Sequence, residues 1–116
     1  MEITDAVSGL SALAHPGRLE IFRLLVKAGA SGLAAGEIAR ATGSLSNTLS
    51  ANLNVLSHAG LVTSRRDGRS IIYSAAYETM SDLLAFLMED CCGGERAICG
   101  PLAGIAARAA ACCDPG

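Results

Sequence analysis

The stretch "LVTSRRDGRSIIYS", Leu61 to Ser74, constrains the fold of this chain more than any other. Asp67-Gly68 is a strong two-residue turn signal, because both central positions of a type I′ turn need positive φ. The flanking runs therefore read as the two strands of a hairpin. Arg65, Arg66 and Arg69 surround the turn, so the hairpin should end in a basic tip. The segment before it, "SLSNTLSANLNVLSHAG", reads as a helix that Ser44 or Ser46 can cap. Leu45, Leu49, Leu53 and Leu56 fall on one narrow stripe of that helix, while Asn47, Ser50, Ala51 and Asn54 face away. That outer face carries no charge, whereas a solvated face normally carries Lys and Glu.

The rest of the chain supplies short helices. Val7, Leu10, Leu13 and Ala14 set one apolar stripe on a helix over residues 5–14. His15-Pro16 stops it, since a residue before proline avoids helical geometry, and Pro16 suits the first position of the next helix. That helix shows Leu19, Phe22, Leu25 and Val26 at helical spacing and ends near Gly29 and Gly32. "AAGEIARATG" gives a short third helix through Ile38 and Ala39, closed by Gly43. From Tyr77 to Asp90 a last helix should carry Met80, Leu83, Leu84 and Leu87 inward, with Phe86 beside them. Of the 116 residues, 51% are hydrophobic but only 3% aromatic, with no Trp, so the core must be aliphatic. A small Leu/Ala-rich domain often completes such a core by dimerising.

The net charge is −2, which by itself gives no hint of nucleic acid. Its distribution is more useful. Residues 40–74 hold Arg40, Arg65, Arg66 and Arg69 against Asp67 alone, and residues 75–95 hold Glu78, Asp82, Glu89, Asp90 and Glu95 with no basic residue. A basic stretch of this kind is compatible with a polyanion-binding face on an acidic protein. The N-terminus shows no secretory signal, and "LLAFLM" is far short of the roughly 20 residues that span a bilayer. A cytoplasmic protein with no membrane partner is expected.

Two short helices joined by "TGSLS" and followed by a basic-tipped hairpin form a winged helix-turn-helix, a mainly α fold with a β-hairpin. The major groove of double-stranded DNA admits one α-helix, and Asn, Ser and Thr hydrogen-bond to base edges and phosphates. Arginines on a wing reach the phosphate backbone or a minor groove. Here "LAHPGRLEIFRLL" (Leu13 to Leu25), "SNTLSANLNVLSHAGLV" (Ser46 to Val62) and "RRDGRSIIY" (Arg65 to Tyr73) together resemble the arsenic-sensing branch of the ArsR/SmtB repressors, over roughly Val7 to Asp90. The resemblance implies a homodimer with the first and last helices at the interface. It also implies a recognition helix in each major groove of a palindromic operator. It puts Ser46, Asn47, Thr48, Ser50 and Asn52 at DNA-reading positions and Arg65, Arg66 and Arg69 on the wing. The family often has His near Asn52, so the operator need not be the usual one. Many members also carry a Cys-x-Cys pair before the recognition helix, and "GLAAGEIA" (Gly32 to Ala39) has no cysteine.

An inducer site must then lie elsewhere. All five cysteines fall after residue 90, which divides the chain into a DNA-binding and dimerisation domain, 1–90, and a cysteine-rich segment, 91–116. In a reducing compartment they read as ligands or redox groups before disulfides. Cys91 and Cys92 would point about 100° apart on a continuous helix. Gly93-Gly94 ends the helix, and six residues suffice to return Cys99 to the first two. Three thiolates with no nearby His suit a soft ion. As(III) or Sb(III) fits that count, and the arrangement is similar to arsenic repressors with a triad at the end of the last helix. Zinc would favour a fourth ligand, which Cys112 or Cys113 could supply, and a redox dithiol is the remaining alternative. His15 reads as a packing residue and His58 as solvated. A phosphatase-like arsenate reductase needs Cys and Arg with five residues between them, after a strand. Cys91 to Arg96 leaves only four intervening residues and Cys92 to Arg96 three, and no strand precedes them, so no enzyme is expected.

Overall fold

A computed structural model describes residues 1–88 of the chain. Its elements are α1 (Ile3–Leu13), α2 (Pro16–Ala28), a 3-10 turn (Gly29–Ser31), β1 (Leu33–Ala34), α3 (Ala35–Thr42), α4 (Ser46–His58), β2 (Val62–Asp67), β3 (Ser70–Ala75) and α5 (Tyr77–Met88). Met1–Leu84 make one compact unit. Cys91, Cys92, Cys99, Cys112 and Cys113 lie outside the described residues, as does the boundary expected after residue 90.

The expected helices form, but α1, α2 and α5 each expose residues of their apolar stripes. On α1 the inward residues are Ala6, Gly9 and Ala12, while Val7 and Leu10 are exposed. Small residues let this helix lie close to its neighbours: a Cβ on Gly9 would stand 3.6 Å from Leu83 Cδ2. Of the apolar stripe, Leu13 packs on the core while Val7 and Leu10 face out. On α2 the buried set is Ile21, Phe22 and Leu25, and Leu19 is exposed. His15 caps this helix, its Nδ1 accepting the Gly17 N–H at 3.1 Å, with Pro16 in the first turn. Arg18 Nε donates to the Ala12 carbonyl at 2.6 Å and so ties the end of α1 to the start of α2. On α5, Leu83 is buried and Met80 packs on the core, whereas Leu84, expected inward, is exposed.

The deepest side chains are Ile21, Leu25, Ile38, Leu56 and Leu61, so the core is aliphatic as the composition requires. It draws three residues each from α2 and α4 and one from α3, and it closes on Val62 and Ala75 of the sheet.

The hairpin forms with its turn one residue later than expected. Asp67 pairs with Ser70, leaving Gly68 and Arg69 as the two central residues, with Gly68 at φ 64°. A third strand is added that alternation alone did not reveal. Leu33 and Ala34 of β1 pair antiparallel with Tyr73 and Ile72, giving the order β1-β3-β2. Gly32 makes that pairing possible. It sits at φ 68°, and a Cβ there would collide with the Tyr73 carbonyl oxygen and the Ser74 hydroxyl. No helix among the described residues is long and apolar enough to cross a membrane.

Gly32→Ala should therefore cost about 1–3 kcal/mol, as a strained left-handed residue forced against backbone. The urea midpoint of unfolding measures it, and an unchanged midpoint would contradict this account of β1.

Candidate nucleic-acid interface

The connection between α3 and α4 is held by its own polar atoms. Gly43 takes the left-handed conformation at φ 71°, and its N–H donates to the Ala39 carbonyl at 2.8 Å, closing α3. Thr42 Oγ1 lies 2.8 Å from the Ile38 carbonyl and 2.9 Å from Ser44 Oγ. A hydroxyl has one proton, so Thr42 donates to the carbonyl and Ser44 donates to Thr42. At the other end of α3, Glu37 accepts the Ala34 N–H at 3.2 Å. These bonds fix the angle at which α4 leaves the turn.

Helix α4 buries Leu49, Leu53 and Leu56, and that choice of edge decides what remains outside. Ser46, Asn47, Thr48 and Ser50 are all exposed on its leading half, with no charged side chain among them. Asn47 Oδ1 accepts the Thr48 N–H at 2.9 Å, satisfying one free donor of the first turn and leaving the Asn47 amide NH2 as a donor. Asn52 stands apart from this group. It is buried at 7% exposure, the one buried polar residue among those described. The close approach of α4 to the start of α2 explains it: a Cβ on Gly17 would meet Asn52 Nδ2 at 3.2 Å and the His15 ring at 3.3 Å. A position grouped with the outer face by resemblance thus lies at a helix–helix contact. Leu45 departs in the opposite sense. Expected in the buried stripe, it is instead the N-cap residue of α4, with no side-chain cap, and is 73% exposed.

On the wing, the pairing register sorts the arginines. Successive residues of a strand point to opposite faces. Val62, Ser64 and Arg66 oppose Ala75, Tyr73 and Ile71, so Arg66 shares the sheet face that packs on the helices. Arg65 opposes Ile72 on the other face, and there its guanidinium is engaged. Nη2 donates to the Ser31 carbonyl at 2.8 Å and Nη1 to the Ala30 carbonyl at 3.3 Å. Arg65 therefore clips the wing to the 3-10 turn after α2. Arg66 and Arg69 are exposed and make no such bond among the described residues. The signal that separates them was present in the sequence as strand parity, but only the register made it usable.

Helix, turn, outward-facing helix and a hairpin with free guanidinium groups define a winged helix-turn-helix. Comparison with known proteins agrees. A model described as a helix-turn-helix domain matches residues 13–65. The HTH-type transcriptional regulator YgaV of Escherichia coli is 36% identical over 88 residues, covering 76% of this chain and 87% of that protein. The HTH-type regulator Rv0081 of Mycobacterium tuberculosis is 45% identical over 74 residues, 63% of this chain, and the match spans only 62% of that protein's length. Among solved structures, a homodimeric winged helix-turn-helix DNA-binding domain from Mycobacterium bovis, described as a possible ArsR-family regulator, superposes with a TM-score of 0.62 at 37% identity. It covers 74% of this chain and 77% of that one. The chain belongs to the helix-turn-helix transcriptional regulators of the ArsR-like winged-helix family. These relatives are named regulators and not enzymes, in keeping with the sequence reading.

Arg66→Ala and Arg69→Ala should each weaken binding to duplex DNA about equally across sequences and lower the slope of log K against log salt by about 1. Arg65→Ala should instead lower stability first, by about 1 kcal/mol for two charge-assisted bonds at an exposed site. Fluorescence anisotropy across a salt series, paired with thermal unfolding, distinguishes the two behaviours.

Proposed function

We propose that this chain is a dimeric repressor that binds palindromic operator DNA and releases it when As(III) is captured by Cys91, Cys92 and Cys99. The observation that carries the DNA-binding part is the pairing of an uncharged hydrogen-bonding edge on α4 with the free Arg66 and Arg69 of the wing. Short polar groups select bases at close range, and the guanidinium groups hold phosphates without reading sequence. That division of labour lets a chain of net charge −2 bind a polyanion through a local patch.

Dimerisation is supported by surface that the unit leaves uncovered. Ile3 is 69% exposed, Val7 58% and Leu84 50%, with Leu10 beside them on α1. Large aliphatic groups turned outward while Ala6, Gly9 and Ala12 turn inward make a face suited to a second copy. The M. bovis relative is a homodimer by its own description.

The inducer reading rests on chemistry. Three thiols close in sequence just past the helix that begins at Tyr77, with no His among them, match the soft, three-coordinate preference of As(III) or Sb(III). Binding displaces thiol protons and draws on a reducing cytoplasm. A zinc-responsive variant of the same scheme would recruit Cys112 or Cys113 as a fourth ligand. Either ion acts only through its different affinities for the two states of the dimer.

Arsenite should lower the operator affinity of reduced protein by about five- to 150-fold, the usual range of such coupling. Cys91→Ser, Cys92→Ser or Cys99→Ser should abolish that response and leave DNA binding intact. An operator affinity indifferent to arsenite would refute the inducer reading, and a response lost only in the Cys112→Ser/Cys113→Ser double variant would move the site.

A further inference from the structure

We propose that Leu45 reads the 5-methyl group of a thymine in the major groove, and so sets a base preference at one position of each half-site. The inference rests on the DNA-binding reading above and adds to it a residue that the hydrogen-bonding face does not include.

Leu45 is out of place by two separate criteria. Its backbone is that of an ordinary N-cap, at φ −72° and ψ 151°, and its carbonyl accepts the Leu49 N–H at 2.9 Å. Its side chain contributes no cap, where Ser, Thr, Asp or Asn would bond to the free N–H groups of the first turn. The same side chain is 73% exposed, so it forgoes burial as well. Ser44 and Ser46 stand on either side, and exchange of either with Leu45 would place a hydroxyl at the cap. Local rules broken without compensation inside a fold mark positions held for a contact outside it.

The surroundings name that contact. Leu45 leads into Ser46, Asn47 and Thr48, all exposed at the end of α4 that enters a groove first. Those neighbours supply donors and acceptors. Among the base edges of the major groove, the thymine methyl is the one apolar feature, and an aliphatic group is its match. A leucine between hydroxyl groups therefore adds to this surface a larger apolar contact for the methyl than the Thr48 methyl alone offers.

The test uses the full reduced chain and duplexes enriched by the wild-type protein from a random pool. Each thymine of the enriched site is replaced in turn by deoxyuridine, which removes only the methyl. Wild type should lose affinity roughly fourfold at one symmetric pair of positions, the worth of one buried methyl. Leu45→Ser and Leu45→Ala should be indifferent at that pair and keep the wild-type response to changes elsewhere in the site. Leu45→Ser restores a capping hydroxyl, so its thermal stability should equal or exceed that of wild type, which separates lost contact from lost fold. Wild-type indifference to deoxyuridine throughout, or a methyl effect that persists in Leu45→Ser, would overturn the inference while leaving DNA binding in place. Failure to enrich any duplex would overturn the DNA-binding reading itself, and this inference with it.

Discussion

The burial of Leu49, Leu53 and Leu56 is the constraint on which the rest of this molecule depends. A helix of thirteen residues has one edge to give to a core, and these three commit it toward Ile21, Leu25 and Ile38. Once that edge is spent, the roll of α4 about its axis is set to within a few tens of degrees, since neighbouring positions lie about 100° apart. Ser46, Asn47, Thr48 and Ser50 are outward because the leucines are inward. Gly17 sharpens the fit, because a Cβ there would crowd the side chains of Asn52 and His15. The presentation of the polar edge is thus chiefly a packing result, seconded by the Thr42, Ser44 and Gly43 bonds of the turn before it.

The wing depends on a different kind of force. A two-stranded ribbon is only marginally stable alone, and here it is steadied midway by the short β1 strand beside Tyr73 and Ile72 and by Arg65 opposite Ile72. The two carbonyls that Arg65 binds belong to the turn where α2 ends. The wing that carries Arg66 and Arg69 is thereby tied to the end of α2. Two arginines adjacent in sequence hold unlike duties because a strand alternates its faces.

Much of this was legible from residue order. The helix starts at Pro16, the stop at Gly43, the hairpin and the aliphatic core all follow from local chemistry that tertiary packing had no reason to overrule. Three features were not legible, each for a physical cause. Strand β1 is two residues long, too short for any period to register. The inward face of α1 is small rather than bulky, because what it needs is close approach, and hydrophobicity patterns weight size. Leu45 fits the spacing of the buried stripe, yet the helix begins one residue after it, so spacing carried no information about its direction. Within the candidate interface, Ser46, Asn47, Thr48, Ser50, Arg66 and Arg69 stand exposed, whereas the duties of Asn52 and Arg65 required knowledge of which partner lay across from them.

The inverted α1 has a bearing on how such a chain lives in a cell. In the dimer proposed above, association would cover the aliphatic groups left outside, and the free energy of folding would carry a term in the logarithm of protomer abundance. Freshly made copies at low number would spend longer open to proteases than copies made in excess. In such a dimer the level of the protein and its lifetime would rise together, and scarcity would reinforce itself without any further device.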